Sequence, residues 1–261
     1  MKLEGKHIIV TGAASGIGAA LARRFAREGA AGVVVADLAS AKEPLEALAR
    51  EIGGLAVTCD VTQEADIKAL VASARDKFGP IDVFFSNAGV SLRGHEQSPD
   101  ADWDLSWKVH VMAHVYAARA VLPEMIERGN GYLASTASAA GLLASVGSAT
   151  YGVTKHGSVA FAEHLAIQYG DRGIRVSVLC PQAVDTPMYR RPGVKAAGLD
   201  GVATPDAVAD CVVRAMDEEE FLILPHPEVA EYMKRKAVDP DRWLTGMRRL
   251  LGKALSGSLK S

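Results

Sequence analysis

Along the chain, short runs rich in β-branched and aromatic residues alternate with longer stretches whose apolar residues recur at helical spacing. The runs that predict strands are His7 to Thr11, Gly32 to Ala36, Leu55 to Cys59, Ile81 to Ser86, Tyr132 to Thr136, Arg175 to Cys180 and Phe221 to Leu224. Most are nearly continuous in apolar residues, as strands must be when both faces of a parallel sheet are covered. Between the first two, Ile17, Ala20, Leu21 and Phe25 share one helical face, and comparable stretches precede most later strands. Alternation of this kind predicts βαβ units, hence an α/β fold: a doubly wound parallel sheet with helices on both faces, in a single domain spanning residues 1–261.

Composition narrows the class. With 49% hydrophobic and 23% charged residues among 261, the chain is neither disordered nor fibrous. A formal charge of -2 lacks the basic footprint of a nucleic-acid-binding domain, so no nucleic acid is expected as a partner. Cys59, Cys180 and Cys211 are too scattered for a disulfide framework or a zinc site. No apolar signal segment opens the chain and no apolar run is long enough to span a membrane. The expected location is cytoplasmic.

Two constellations carry chemistry. The first predicted strand runs into Thr11-Gly12-Ala13-Ala14-Ser15-Gly16-Ile17-Gly18, placing glycines where the backbone must turn and approach a ligand closely. The amides that open the next helix then suit a pyrophosphate. Asp37 ends the second strand, 19 residues after Gly18, where a carboxylate can accept hydrogen bonds from adenosine ribose hydroxyls. The second constellation is Ser138, Tyr151 and Lys155. Four-residue spacing sets the phenol and the ammonium on one helical face, where a cation can favour phenolate. That pairing suits tyrosine for acid/base work.

With Cys59-Asp60-Val61, Asn87-Ala88-Gly89 and Ser138 thirteen residues before Tyr151, these motifs follow one another in a known order. From Lys6 to about Pro187 the chain resembles the short-chain dehydrogenase/reductase family. The resemblance implies a Rossmann-type sheet, Asp60 and Val61 beside an adenine, Asn87 and Gly89 near the ribose and central sheet, and Val184 and Thr186 reaching the nicotinamide amide. It implies that Ser138 bonds the substrate oxygen, Tyr151 exchanges the hydroxyl proton, and Lys155 binds the nicotinamide ribose while lowering the tyrosine pKa. The cofactor-binding set is thus Gly12, Ser15, Gly16, Ile17, Gly18, Asp37, Asp60, Val61, Asn87, Ala88, Gly89, Tyr151, Lys155, Val184 and Thr186. NAD is expected in preference to NADP, because Asp37 repels an added phosphate and Ser15 stands where family members favouring NADP often carry a basic residue. The expected reaction is hydride transfer between NAD and a largely apolar secondary alcohol or ketone, with a dinucleotide sensor without turnover as the alternative, in a homodimer or homotetramer.

The chain also departs from the pattern. His110 stands where the family usually has a relay Asn, and is either a hydrogen-bonding replacement or a buried structural imidazole. His110 and His114 are one turn apart like metal ligands, but without an adjacent acidic motif no metal is expected. Pro181-Gln182 replaces the usual Pro-Gly, so Gln182 either touches substrate or caps the loop. Residues 188–203, with Arg190, Arg191, Pro192, Gly193, Gly198 and Gly201, read as a substrate-side loop whose arginines meet either an acidic substrate or solvent. From Lys234 the tail carries eight basic against two acidic residues. Trp243, Met247, Leu250, Leu251 and Leu255 read as one apolar stripe, expected to dock on protein rather than on a membrane.

Overall fold

A computed structural model describes residues 1–191 and 198–256. Seven parallel strands lie in the order β3-β2-β1-β4-β5-β6-β7: β1 His7–Thr11, β2 Gly32–Asp37, β3 Leu55–Thr58, β4 Val83–Ser86, β5 Gly131–Thr136, β6 Ile174–Leu179 and β7 Leu222–Ile223. Every predicted strand forms, with ends shifted by a residue or two. β7 is the shortest because only Leu222 and Ile223 find partners on β6 before Pro225 approaches.

Alternation of side chains sorts the core into two layers. On β1, Ile8 and Val10 pack on one face with α1 (Gly16–Arg27), α2 (Lys42–Ile52) and α8 (Pro205–Asp217), through Leu21, Phe25, Leu45 and Val212. Ile9 points the other way, toward α3 (Glu64–Phe78), α5 (Ala113–Glu127) and α6 (Ala149–Tyr169), through Leu70, Val121 and Val159. The remaining helices are α4 (Asp100–Trp107), joined to α5 by a π-helical segment, α7 (Pro187–Arg190), α9 (Glu228–Val238) and α10 (Pro240–Leu255).

Successive strands add on one side of β1 as far as β3 and then on the other from β4. The reversal between β1 and β4 opens a crevice beyond their C-terminal ends, where this class of sheet binds ligands. No helix among the described residues is long and apolar enough to cross a membrane.

The tail corrects its predicted pattern. Trp243, Met247 and Leu250 turn inward, but Leu251 and Leu255 lie with Leu244 on a second, exposed face. At about 100° per residue the five positions span roughly 140°, and the flank that carries Leu251 and Leu255 is the part left exposed. Of the predicted loop, 188–190 belong to α7, and Pro192 and Gly193 lie outside the described residues.

Candidate active site

A cleft of about 730 Å³ opens at the β1/β4 crevice. At one end it is lined by Gly12, Ser15, Gly16 and Ile17, followed by Asn87, Ala88 and Gly89. Ser15 occupies the N-cap of α1 without using its side chain as a cap, and no acidic residue sits in the first turn. The first-turn amides are therefore left for an anion from the cleft, the chemistry a pyrophosphate requires.

The turn exists because Gly18 lies against Gly12: a Cβ on Gly18 would stand 2.2 Å from the Gly12 carbonyl oxygen. Asn87 locks the same turn to two other strands. Its Nδ2 donates to the carbonyls of Thr11 (3.0 Å) and Gly12 (3.2 Å), while its Oδ1 accepts from Thr136 Oγ1 (2.9 Å). The strand ends of β1, β4 and β5 are thereby held by one amide.

Asp37 sits at the end of β2. Its carboxylate accepts from the amides of Ala14 (2.9 Å) in the glycine-rich turn and of Leu38 (2.8 Å). Asp60 and Val61 stand off the main cleft. Asp60 Oδ1 accepts from the Thr62 amide and hydroxyl, and Val61 is buried beside Thr11 and Ala88. Val184 and Thr186 line the cleft, with Thr186 also capping α7.

Ser138, Tyr151 and Lys155 meet in the middle. Ser138 caps a short 3-10 turn, its Oγ accepting from the Ala140 amide at 3.1 Å. That turn packs on α6 because Gly141 has no Cβ, which would stand 2.5 Å from the Lys155 carbonyl oxygen. Ser148 caps α6, accepting from the Tyr151 amide at 3.3 Å and donating to the Leu92 carbonyl. Lys155 is buried and its Nζ donates to the Thr136 carbonyl at 2.8 Å.

Burial dominates the electrostatics of this pair. Burial pushes Tyr151 above its ordinary pKa, opposed in part by the Ser138 hydroxyl. Burial likewise lowers Lys155 to about 7. Desolvation is the largest cause of both shifts. Cys180, nearby, is pushed up to about 12 by burial and is a protonated, inert thiol.

His110 has hydrogen-bond partners at both ring nitrogens. It is fully buried, its Nε2 accepts from the Val90 amide at 3.1 Å, and its Nδ1 lies 2.8 Å from Thr154 Oγ1. Because that hydroxyl already donates to the Thr150 carbonyl, Nδ1 carries the proton. Burial holds His110 well below its ordinary pKa. Its ring meets Tyr151 edge-on at 5.5 Å, so it buttresses the phenol with both nitrogens engaged.

Gln182 donates its backbone amide to His226 Nδ1 (3.2 Å) and sets its side chain in the cleft wall. The far end contains residues the motifs did not point to: Arg93, Leu143, Asp200, Tyr232, Trp243, Met247 and Leu250. The apolar spacing on α10 and the predicted substrate-side loop, which contains Asp200, were the hints of this wall. Lys236 ties α9 to the serine-bearing loop, donating to the carbonyls of Leu142 (2.7 Å) and Leu143 (2.6 Å).

The family profile described as short chain dehydrogenase matches residues 6–194. The chain is 39% identical over 238 residues to a 1-deoxy-11-beta-hydroxypentalenate dehydrogenase of Streptomyces exfoliatus, covering 87% of this chain and 86% of that protein. It is 33% identical over 258 residues to the oxidoreductase UcpA of Salmonella typhimurium, covering 96% and 94%. Among solved structures, a short chain dehydrogenase/reductase from Burkholderia phymatum in complex with NAD superposes with a TM-score of 0.84 at 28% identity, over 92% of this chain and 96% of that one. Profile, relatives and architecture agree with the order of motifs around the cleft, and the chain belongs to the short-chain dehydrogenase/reductase family of oxidoreductases.

Proposed function

We propose that this enzyme transfers a hydride between NAD and a secondary alcohol or ketone with a largely apolar body. The observation that carries the reading is that Ser138, Tyr151 and Lys155 line one cleft with the uncapped N-terminus of α1. Gly12, Ser15, Gly16, Ile17 and Thr186 would hold the dinucleotide, whose nicotinamide supplies the hydride chemistry when bound. The relatives named for a hydroxypentalenate substrate, and a solved relative in complex with NAD, support this class of reaction and cofactor.

Ser138 orients the substrate oxygen, and Tyr151 Oη exchanges its proton. Because burial keeps the phenol protonated, Tyr151 stands ready as an acid for ketone reduction. Alcohol oxidation needs the phenol as a base, so it rises with pH. Lys155, fixed on the Thr136 carbonyl, is the group whose charge would draw the phenol down in the loaded site. His110 holds the tyrosine ring from behind.

Cofactor choice rests on Asp37 and Ser15. Two amides fix the Asp37 carboxylate at the β2 end, and Ser15 offers no cation to neutralise a phosphate placed beside it. NAD is therefore preferred over NADP. Following reduced-nicotinamide absorbance with a panel of secondary alcohols and ketones tests the reading. Turnover that vanishes in Tyr151→Phe supports it; dinucleotide binding with no turnover of any substrate would replace it with a sensor.

A further inference from the structure

Two arginines line the substrate end of the cleft, one on each of two separate segments: Arg93 follows β4, and Arg191 follows α7. Neither has a carboxylate partner among the described residues, and the undescribed stretch 192–197 contains no acidic residue. The adjacent Arg190 shows the contrast, because Asp185 closes on it through two hydrogen bonds of 2.7 and 2.8 Å. The acid that shares the cleft, Asp200, accepts from the Tyr232 hydroxyl at 2.9 Å.

The backbone beneath Arg93 is pinned on both sides. Ser148 Oγ donates to the Leu92 carbonyl, the Gly94 amide donates to the Gly147 carbonyl at 3.3 Å, and the Ala149 amide donates to the Gly94 carbonyl at 3.0 Å. This clasp joins Arg93 to the first turn of the helix that carries Tyr151. Arg93, an exposed side chain, thus stands on a fixed base, and the cleft that it lines is also lined by the apolar side chains of Trp243, Met247 and Leu250. A cleft with an apolar wall, a hydroxyl-reading centre and unneutralised guanidinium groups has the chemistry of an amphipathic acid.

We propose that Arg93, assisted by Arg191, recognises a carboxylate on the substrate, so that the substrate class is apolar hydroxy acids and their keto forms. The proposal rests on the hydride-transfer reading and adds to it the anionic end of the substrate. A guanidinium–carboxylate contact at a partly exposed mouth is worth roughly tenfold in affinity, and its contribution shrinks as salt rises.

The test compares adamantane-1-carboxylate with adamantane-1-carboxamide, two compact apolar ligands without an oxidisable hydroxyl, by calorimetry on the NAD-loaded protein. The carboxylate is expected to bind about tenfold more tightly in low salt, with the preference collapsing in Arg93→Met and surviving in part in Arg93→Lys. The dinucleotide dissociation constant should stay the same in all three proteins. Equal or undetectable binding of the two ligands by the unmodified protein overturns the proposal, as does an Arg93→Met protein that keeps the preference or loses NAD affinity. Neutral alcohols that turn over while the carboxylate shows no preference remove the proposal alone. Carboxylate preference without turnover of any alcohol removes the hydride-transfer reading and leaves the anion site standing.

Discussion

At one end of the cleft a single residue, Asn87, bonds the ends of three strands, and Gly18 packs against Gly12 with no room for a methyl group. At the other end the wall is Trp243, Met247 and Leu250, carried on a helix that packs chiefly on α9. α10 has no fully buried residue, and the flank beside that wall exposes Leu244, Leu251 and Leu255. The dinucleotide end is therefore set by the sheet itself, and a change there disturbs the fold. The substrate end is an appended surface, tethered by Lys236 and by the Asp239 cap at the α9/α10 corner, and can vary without loss of the sheet. Ser138, Tyr151 and Lys155 stand between the two, on the fixed side.

The sharpest break between chemistry and binding comes from Tyr151→Phe. Removing the phenolic oxygen deletes the proton exchanged with substrate but leaves the glycine-rich turn intact. Turnover is expected to fall by roughly 10²–10⁴-fold while the NAD dissociation constant stays within a few-fold. If steady-state rates remained near normal, the assigned acid/base role would be wrong. A pH profile adds to this test: oxidation should climb through the alkaline limb in the unmodified enzyme, since burial raises the phenol pKa.

A second test probes the fixed end alone. Asp37→Ala removes a carboxylate held by the Ala14 and Leu38 amides. The ratio of kcat/KM for NAD over NADP should drop by roughly a hundredfold, because like charges a few ångströms apart near a protein surface repel by a few kcal/mol. KM for the alcohol should scarcely move. A ratio near unity in the unmodified protein would refute the preference itself.

These two ends were not equally readable before the structure. Glycines, Asp37, Asn87, Ser138, Tyr151 and Lys155 announce themselves because backbone close approach and proton transfer each admit few residue types. Trp243 and Met247 belong to an ordinary amphipathic pattern, and only the fold decides which face looks into the cleft. Arg93 was illegible for a different reason: its meaning depends on a clasp between residues more than fifty positions apart, Leu92 to Ser148. Spacing brings Lys155 near Tyr151 but does not show that burial is the largest influence on both groups.

Acid stability separates the core beneath the site from the cleft. Burial holds His110 well below its ordinary pKa and pushes His114 down to about 3, and neither ring nitrogen of His114 has a hydrogen-bond partner among the described residues. The unfolded chain protonates both near pH 6.5, whereas the folded chain resists, so unfolding takes up protons and stability falls as pH drops below about 6.5 toward 3. His110→Ala should lose roughly 2–3 kcal/mol at neutral pH through the unpaired Val90 amide and the cavity left behind, yet lose less turnover than Tyr151→Phe. Denaturant titrations at pH 7 and pH 5 measure both effects. A kcat loss as deep as that of Tyr151→Phe, with stability unchanged, would make His110 a relay group instead of a buttress.

The smallest effect should come from Trp243→Ala, and it bears most directly on whether the substrate end is truly separable. The indole is half-buried, borders Tyr232 at a ring distance of 6.4 Å, and lines the cleft from a helix outside the main core. Truncating a half-buried aromatic removes on the order of 1 kcal/mol of apolar contact with a bound substrate, or roughly fivefold in KM. Because α10 packs mainly on α9, the melting temperature should shift by no more than a few degrees, and NAD affinity should be unchanged. The expected signature is thus a rise in KM for bulky apolar alcohols, with kcat and cofactor binding preserved. If melting temperature and NAD affinity fell together instead, α10 would be part of the same cooperative unit as the glycine-rich turn, and the division of the cleft into a fixed end and an adaptable end would not hold.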